Sequence, residues 1–423
     1  MRRNRRVGTG LALMGLAVIA VATLRPGSDP GHAALLTPLW CLICGPEGGT
    51  DVLGNLLLFL PFAIGLRLSG VSWRRTVAAA AGVSFTVELL QLIAIPGRDA
   101  SLSDLLTNTT SGALGAALAP CLSRMLSPSP PHARALLAGG VTLWLAVLSL
   151  SASLLTPGVP RGSIVSRWAH QSGPPDVFGG RVRSVHLNGL PMPGAAPPPH
   201  PASLRRRVER GDFSLAAEVI SGHPLRDRLW IYMLQAGPRA TLSLYQDGRE
   251  AGMVAPSRGL RLGLRAVTLT LADGFPAAAG VPVRLHATER GRTLRLTSIY
   301  AGVPRSVELS LSPAMGWLLL APFDMPAESG GRWLTGLCLA ASLLPLGFWA
   351  RCSGQPTAGL GLLGAALAAG LAALPALAGF PPVHWSEWLA GAAGIAAGWA
   401  LGPFAAYLER RCASPSDSES SSS

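Results

Sequence analysis

The sequence predicts a multi-pass α-helical membrane protein of about eight transmembrane helices, with an extracytoplasmic antiparallel β-sandwich domain. Three observations predict this class. Apolar residues make up 49% of the chain and charged residues only 13%, whereas an ordinary soluble domain has about 25% charged residues. Apolar segments long enough to cross a bilayer lie on both sides of a polar region of roughly 160 residues. Short alternating runs inside that polar region are typical of strands.

Eight apolar segments are predicted to span the membrane. They lie at residues 7–24, 52–68, 76–95, 102–120, 135–155, 333–350, 357–378 and 388–407. The first segment has an alternative interpretation as a cleaved signal peptide, because a basic start and an apolar run suit both. A small-x-small cleavage site is not evident before Arg25, so a retained helix is favoured.

The distribution of arginine predicts the orientation in the cell inner (cytoplasmic) membrane. The chain has no lysine, and its formal net charge is +13. Cytoplasmic loops are enriched in basic residues, so both termini are predicted to be cytoplasmic and the polar region extracytoplasmic. The arginines are scattered through loops and the polar region, so nucleic-acid binding is not expected. The arginines that flank the spans are Arg2, Arg3, Arg5, Arg6, Arg67, Arg74, Arg75, Arg124, Arg134, Arg351, Arg410 and Arg411.

The polar region is predicted to be a β-sandwich with one face of each sheet buried. A Pro-rich stretch from Leu190 to Ala202 is expected to be a loop or linker, and Gln246 to Arg249 a hairpin turn. Strands are predicted at 213–220, 229–234, 240–245, 267–271, 281–285 and 293–297. The predicted domains are residues 1–125 with four helices, 126–156 with the fifth, 157–320 as the sandwich, 321–412 with three helices, and 413–423 as a disordered tail.

Polar residues at fixed spacing in the second to fourth spans carry a family resemblance. The motifs are Asp51-Val-Leu-Gly-Asn55, Phe59-Leu-Pro61, Glu88-Leu-Leu-Gln91, Gly97-Arg98-Asp99, Ser103-Asp104-Leu-Leu-Thr-Asn108, and Gly112 with Gly115. Together they resemble the VanZ-like family over residues 10 to 120. By strand pattern and position, the sandwich resembles the concanavalin-like, laminin-G-type domains found between the membrane segments of some VanZ-like proteins.

The same polar residues are predicted to form a cluster at the extracytoplasmic end of two helices. Residues three or four apart share a helix face, so Glu88 pairs with Gln91, and Asp104 with Asn108. A short loop between the third and fourth spans makes these helices antiparallel neighbours. The candidate binding residues are Asp51, Asn55, Glu88, Gln91, Arg98, Asp104 and Asn108.

Two interpretations of this cluster stay open. Polar side chains in membrane helices often serve only to hold helices together, and Arg98 with Asp104 would then fix the hairpin. Alternatively, the cluster binds a polar headgroup or transfers a proton, with Glu88 as the candidate catalytic residue. Gly112 and Gly115 are interpreted as residues that let helices pack closely.

Cys41 and Cys44 are predicted to form a local disulfide outside the membrane, with a redox pair as the alternative. The eight histidines are spread out, so neither a metal site nor a cofactor is expected. Trp230, Tyr232 and Tyr245 are predicted to be core or edge aromatics of the sandwich, where an exposed ring would stack on sugar.

Two functions follow, and a non-enzymatic one is favoured over an enzyme because no nucleophile motif is evident. In the first, an envelope membrane protein recognises a membrane lipid or a lipid-linked or cell-wall precursor, and its sandwich binds a glycan or a protein. The resemblance implies a link to glycopeptide (teicoplanin) susceptibility. In the second, an enzyme acts on such a substrate with Glu88 as general acid or base. Transport ranks below both, because the last three spans contain few polar groups apart from Glu387.

Overall fold

A computed structural model describes residues 2–24, 47–95, 101–169, 178–225, 228–237, 239–321 and 331–413. The predictions for Cys41, Cys44, Arg98 and the tail from Ser414 lie outside the described residues. The chain divides into two compact units. The first comprises Met1–Pro120, Ser153–Leu311 and Gly316–Gly331, and the second Cys121–Ala152, Ser312–Met315 and Arg332–Ser423.

Helices form at all eight predicted spans, and α7 forms within the polar region. The α-helices of the described chain are α1 (Arg2–Thr23), α2 (Gly48–Leu58), α3 (Leu60–Leu68), α4 (Trp73–Ala94), α5 (Leu102–Leu126), α6 (Pro130–Leu155), α7 (Pro201–Arg210), α8 (Gly331–Cys352), α9 (Pro356–Ala368), α10 (Leu374–Ala378) and α11 (Trp385–Ala413). Six segments of the described chain are long and apolar enough to cross a membrane: Arg5–Thr23, Gly48–Leu68, Trp73–Ala94, Pro130–Leu155, Gly331–Cys352 and Pro356–Ala378. The fourth and eighth predicted spans correspond to α5 and α11, which are not among these six, so the count of eight stays a prediction.

Two of the six spans contain an irregular turn near a proline. The second predicted span breaks at Phe59 into α2 and α3, and Pro61 lies in the first turn of α3. Proline has no backbone N–H and its ring crowds the carbonyl four residues earlier, so the helix cannot continue regularly through it. Between α9 and α10, a π-helical turn at Ala369–Ala373 precedes Pro375.

Helices α1 and α3 pack closely because small residues line their contact. A side chain added at Gly65 would strike the backbone of Ala12, and one added at Gly8 would strike the backbone of Ser69. Helices in lipid gain little from apolar burial alone, so close backbone approach at small residues is a main source of their packing.

The polar region folds into two six-stranded sheets in which every pairing is antiparallel. The order is β4-β1-β6-β7-β8-β9 in one sheet and β12-β11-β10-β5-β2-β3 in the other. The strands are β1 (Ile164–Trp168), β2 (Arg181–Leu187), β3 (Leu190–Pro191), β4 (Ala195–Ala196), β5 (Asp212–Ile220), β6 (Arg228–Ala236), β7 (Arg239–Asp247), β8 (Glu250–Ala255), β9 (Val267–Leu271), β10 (Pro282–Arg290), β11 (Thr293–Tyr300) and β12 (Val303–Ser310).

All six predicted strands are confirmed, and alternation places one face of each sheet in a shared core. Along β10, for example, Val283, Leu285 and Ala287 are buried while Arg284 and His286 are exposed. The predicted hairpin is confirmed, but its turn lies one residue later than predicted, since Asp247 pairs with Glu250 across Gly248 and Arg249. The structure differs from the prediction at Leu190 to Ala202, where β3 and β4 form and α7 begins.

Within the first unit, the sandwich is joined to the start of α2 by backbone contacts. The Gly263 carbonyl accepts hydrogen bonds from Gly49 N (3.0 Å) and Thr50 N (3.2 Å). Thr50 Oγ1 donates to the Leu319 carbonyl (2.9 Å) and accepts from Arg265 N (3.0 Å). These contacts hold one end of the sandwich at the first turn of a candidate membrane span.

The second unit is a helical bundle with an apolar core. Leu137, Trp144, Leu343, Leu363 and Ile395 from α6, α8, α9 and α11 belong to one buried cluster. Trp349 Nε1 donates to the Met125 carbonyl (3.0 Å), which ties α8 to the end of α5.

Candidate ligand-binding site between helices α4 and α5

One face of α4 is buried and carries two residues of the predicted cluster, Glu88 and Gln91. Ser84, Glu88 and Gln91 lie on this face at helical spacing, together with Thr76 and Ala80. The opposite face exposes large apolar side chains that suit lipid: Phe85, Leu89, Leu92 and Ile93. The helix is therefore amphipathic with its polar groups turned toward protein.

Helix α5 runs antiparallel to α4 along this face, as predicted, and the two helices touch at successive turns. The Ser101 N–H donates to Glu88 Oε2 (2.7 Å). Farther along, Asn108 Nδ2 donates to Ser84 Oγ (3.0 Å). At the next turn Gly112 lies against Ala80, where no side chain would fit.

The role predicted for the glycines is confirmed by this packing. Gly112 leaves space for the Ala80 methyl group, and Gly115 lies against the methyl group of Ala63. The Ser111 hydroxyl donates to the Leu56 carbonyl on α2. Small residues on α5 thus allow it to contact α2, α3 and α4 at close range.

Glu88 lies at the N-terminal end of α5 and is almost fully buried, with 9% exposure. Ser101 caps that helix, because its Oγ accepts a hydrogen bond from Ser103 N (3.1 Å). Helix N-termini carry partial positive charge, which favours a carboxylate here. Asp104 in the first turn lies close enough to interact electrostatically with Glu88, so the site holds two neighbouring carboxylates.

Two buried amide oxygens on α4 and α5, those of Gln91 and Asn108, have no hydrogen-bond donor. Gln91 Nε2 donates to the Thr23 carbonyl at the end of α1 (3.0 Å), which leaves Gln91 Oε1 without a partner. The Thr23 carbonyl can only accept, so rotating the amide by half a turn would not satisfy both atoms. Asn108 Oδ1 also has no partner. Both residues are more than nine-tenths buried.

The structure brings Glu88, Gln91 and Asn108 together as buried residues of α4 and α5, and it places Asp104 half-buried at the start of α5. Asn55 is half-buried on α2, and Asp51 is exposed in the first turn of that helix. The prediction that these residues act as one binding site stays a prediction.

Sequence reasoning missed two serines that hold the site together, Ser84 and Ser101. A signal for Ser101 exists, because Ser101-Leu-Ser-Asp104 is the Ser-x-x-Asp pattern that precedes many helices. Ser84 lies one turn before Glu88 on the same face. No group of three His, Cys, Asp or Glu side chains that would hold a metal ion occurs among the described residues.

A second buried carboxylate lies in the other unit. Glu387, in the first turn of α11, is 4% exposed and accepts a hydrogen bond from Ser312 Oγ (2.9 Å). Among the described residues of that unit, no buried side-chain nitrogen or oxygen lacks a partner. Glu387 therefore fits a structural role within the second unit, as the acceptor for the Ser312 hydroxyl.

A third buried carboxylate lies at the end of β10 in the sandwich. Glu289 occupies an inward-facing position, and its Oε1 lies 3.8 Å from Arg292 Nη1. Burial raises the pKa of Glu289 to about 8, and the nearby Arg292 guanidinium opposes that rise.

The aromatic residues of the sandwich are mainly in its core. Tyr232 and Tyr245 are buried, and Trp230 packs against Tyr245 with ring centroids 5.6 Å apart. Arg228 covers the Tyr245 ring at 4.6 Å. Stacking of sugar on Tyr232 or Tyr245 is therefore excluded in this conformation.

Comparison with known proteins gives one family match. Residues 17–123 match the family model described as VanZ/LLP1. The match ends within α5. It includes Glu88, Gln91, Asp104 and Asn108, which together are called the α4–α5 cluster. The predicted resemblance of this region is therefore confirmed. No protein of curated function and no solved structure matches the chain. The concanavalin-like identity of the sandwich stays a prediction.

Proposed function

We propose that the chain is a VanZ-like membrane protein of the bacterial cell envelope whose α4–α5 cluster recognises the polar headgroup of a lipid-linked or cell-wall ligand. One observation carries the proposal: the two helices that bury the Glu88 carboxylate also bury two amide oxygens, Gln91 Oε1 and Asn108 Oδ1, that have no donor. A buried polar atom without a partner costs about 1–3 kcal/mol. A site that receives a ligand explains why such a cost persists.

The chemistry of the cluster suggests which ligand groups it would take. One N–H of each amide, Gln91 and Asn108, is used within the protein, and the Ser101 N–H is used by Glu88. The atoms that lack a partner are the acceptor oxygens Gln91 Oε1 and Asn108 Oδ1. We therefore expect the bound headgroup to offer hydrogen-bond donors, as the hydroxyl groups of a sugar do.

The arginine distribution supports an orientation for the protein. Because cytoplasmic loops are enriched in arginine, we propose that both termini lie inside and the sandwich outside the inner membrane. The contacts of Gly263 with Gly49 and Thr50 hold the sandwich at the start of α2, and Glu88 lies near the end of α4. With the three spans α1, α2–α3 and α4 crossing in alternation, the start of α2 and the end of α4 share the extracytoplasmic side, which suits an envelope ligand. The sandwich, as a concanavalin-like domain, would bind a glycan or partner protein there.

An enzyme is the alternative, favoured by the proximity of the Glu88 and Asp104 carboxylates. Two carboxylates in one site can divide the roles of acid and base. In that case Glu88 acts as general acid or base on a lipid-linked or wall substrate. Binding would then survive the change Glu88→Gln while turnover is lost.

Growth inhibition by teicoplanin tests the proposal in cells. A deletion strain is complemented with wild type, Glu88→Gln, Glu88→Asp, Arg98→Ala or a chain lacking residues 160–312, and membrane levels of each protein are measured. We expect wild type to change susceptibility and the well-expressed Glu88→Gln chain to behave like the deletion. Glu387→Gln is the matched control, because it removes a buried carboxylate outside the cluster and should behave like wild type. Equal susceptibility of all strains would contradict the envelope function.

A further inference from the structure

The turn between β8 and β9 presents an exposed leucine at the end of the sandwich that meets α2. This turn, Arg258–Leu262, is a short 3-10 helix whose Leu260 is buried in the domain. Leu262 is 61% exposed. The next residue, Gly263, accepts the hydrogen bonds from Gly49 and Thr50. Leu262 therefore lies at the level where α2 begins.

The apolar surface of α2 continues from this point. Gly49, Leu53 and Leu57 are four residues apart and share one helix face. A side chain at Gly49 would strike the Leu262 carbonyl, and Leu53 and Leu57 are exposed by 40% and 57%. The turn thus covers this apolar face of α2 at Gly49, and the exposed Leu53 and Leu57 farther along the face suit lipid acyl chains. Leu262 is itself exposed next to the first turn of α2.

The charges of the turn suit the phosphate groups of lipids. Arg258 and Arg261 are exposed on the same short turn. Arg261 Nη2 also contacts Glu209 (3.0 Å) and the Val159 carbonyl (3.2 Å), and Arg265 contacts Glu47 (2.8 Å). Arginine binds phosphate oxygens through its planar guanidinium group while its aliphatic part lies against apolar surface.

We propose that the turn Arg258–Leu262 rests in the headgroup layer of the membrane that α2 crosses. Leu262 inserts at the boundary between headgroups and acyl chains, and Arg258 and Arg261 contact phospholipid phosphates. The sandwich is then held against the lipid surface at this end as well as by its contacts with α2. The inference rests on the membrane placement given under the proposed function.

Quenching of a site-specific fluorophore by lipids tests this contact. An environment-sensitive fluorescent amino acid is introduced at position 262 of the full chain, which is reconstituted in bilayer nanodiscs containing phospholipids brominated at shallow or deep acyl positions. We expect shallow bromines to quench position 262 several-fold more than deep ones do. Replacement of an exposed leucine is not expected to disturb folding, and circular dichroism checks this.

Two matched positions make the result decisive. Leu225 is 52% exposed, and its carbonyl binds Gly248 N (2.7 Å) at the other end of β8, about 17 Å from the turn at the rise of a strand. A fluorophore there should not be quenched. One at Leu53 should be quenched, preferentially by deeper bromines. Position 262 behaving like position 225 would overturn the inference while leaving the membrane span intact. Absence of quenching at position 53 would instead contradict the membrane placement of α2.

Discussion

Helices α4 and α11 each bury a glutamate, and their surroundings differ in a way that separates a candidate binding site from a structural contact. Glu88 has a backbone donor from Ser101, a second carboxylate nearby, and amide oxygens without donors on the same two helices. Glu387 has a hydroxyl donor from Ser312 and no unsatisfied neighbour among the described residues of its unit. Burial of a carboxylate alone therefore does not indicate a ligand site. An oxygen without a donor alone does not either, because the buried Glu289 Oε2 of the sandwich also lacks one. The combination of two neighbouring carboxylates with two donorless amide oxygens on paired helices distinguishes the Glu88 site.

The largest expected effect is the dependence of the sandwich's stability on pH, which we attribute to the buried carboxylate Glu289. Glu289 has a pKa of about 8 when folded and an ordinary value near 4.5 when unfolded. Between pH 4.5 and about 8, Glu289 binds a proton in the folded chain but not in the unfolded chain. The free energy of unfolding of the wild-type sandwich therefore falls as pH rises through this range, by an amount on the order of several kcal/mol. Glu289→Gln should remove this dependence in melting curves followed by tryptophan fluorescence from pH 4 to 9.

Glu308→Gln is the matched control for that experiment. Glu308 forms an exposed ion pair with Arg295 (2.6 Å) on the same sheet, and exposed pairs contribute little to stability. Its melting temperature should follow the wild-type pH curve. Parallel curves for wild type and Glu289→Gln would contradict the account of the buried carboxylate.

Breaking the contact between α4 and α5 should be the next most severe change. Gly112→Leu places a side chain where the Ala80 methyl group lies, and overpacking of this kind costs about 1–3 kcal/mol. Thermal unfolding in detergent should shift down and binding at the cluster should fall with it. Gly82→Leu is the control, since nothing lies within 4 Å of a side chain at that position on α4. Equal destabilisation by the two changes would argue against close packing at Gly112.

Two substitutions of Glu387 test whether its role is structural. Glu387→Gln keeps an acceptor for the Ser312 hydroxyl and should leave unfolding of the second unit nearly unchanged. Glu387→Leu removes the acceptor and should cost about 1–3 kcal/mol, because a buried donor is left unpaired. Neither change should affect teicoplanin susceptibility as long as the protein folds. If the Glu387→Gln chain folded stably but lost function, Glu387 could no longer be separated from Glu88 as a purely structural residue.

The smallest expected effect on stability is that of Gln91→Met. The change removes one hydrogen bond, to the Thr23 carbonyl, and interhelical hydrogen bonds in membranes contribute about 0.6 kcal/mol each. If Gln91 Oε1 receives a ligand donor, ligand affinity should fall more than stability does. Titration of ligand with wild type and variant, beside their melting temperatures, compares the two losses. If ligand affinity and melting temperature fell in proportion, Gln91 would contribute to helix packing alone.

The sequence predicted the pairing of α4 with α5 better than it predicted the attachments of the sandwich. Spacing was sufficient to place Glu88 with Gln91 on one helix and Asn108 on its antiparallel neighbour, because helical periodicity and a short loop determine both. The docking of the sandwich on α2 depends on backbone carbonyls of Gly263 and Leu319, and a carbonyl has no sequence signature. The donorless oxygens of Gln91 and Asn108 likewise depend on which partners the fold supplies.

The most direct test of the central claim is a ligand-dependent thermal shift of the protein in nanodiscs. The two probes are a polyprenyl diphosphate that carries a disaccharide and the same lipid without sugar. If the acceptors around Glu88 bind sugar hydroxyls, the glycan lipid raises the melting temperature of wild type and Glu387→Gln but not of Glu88→Gln, and the sugar-free lipid has no effect. A shift of equal size in Glu88→Gln and wild type, or none in wild type at saturating glycan lipid, would contradict the claim.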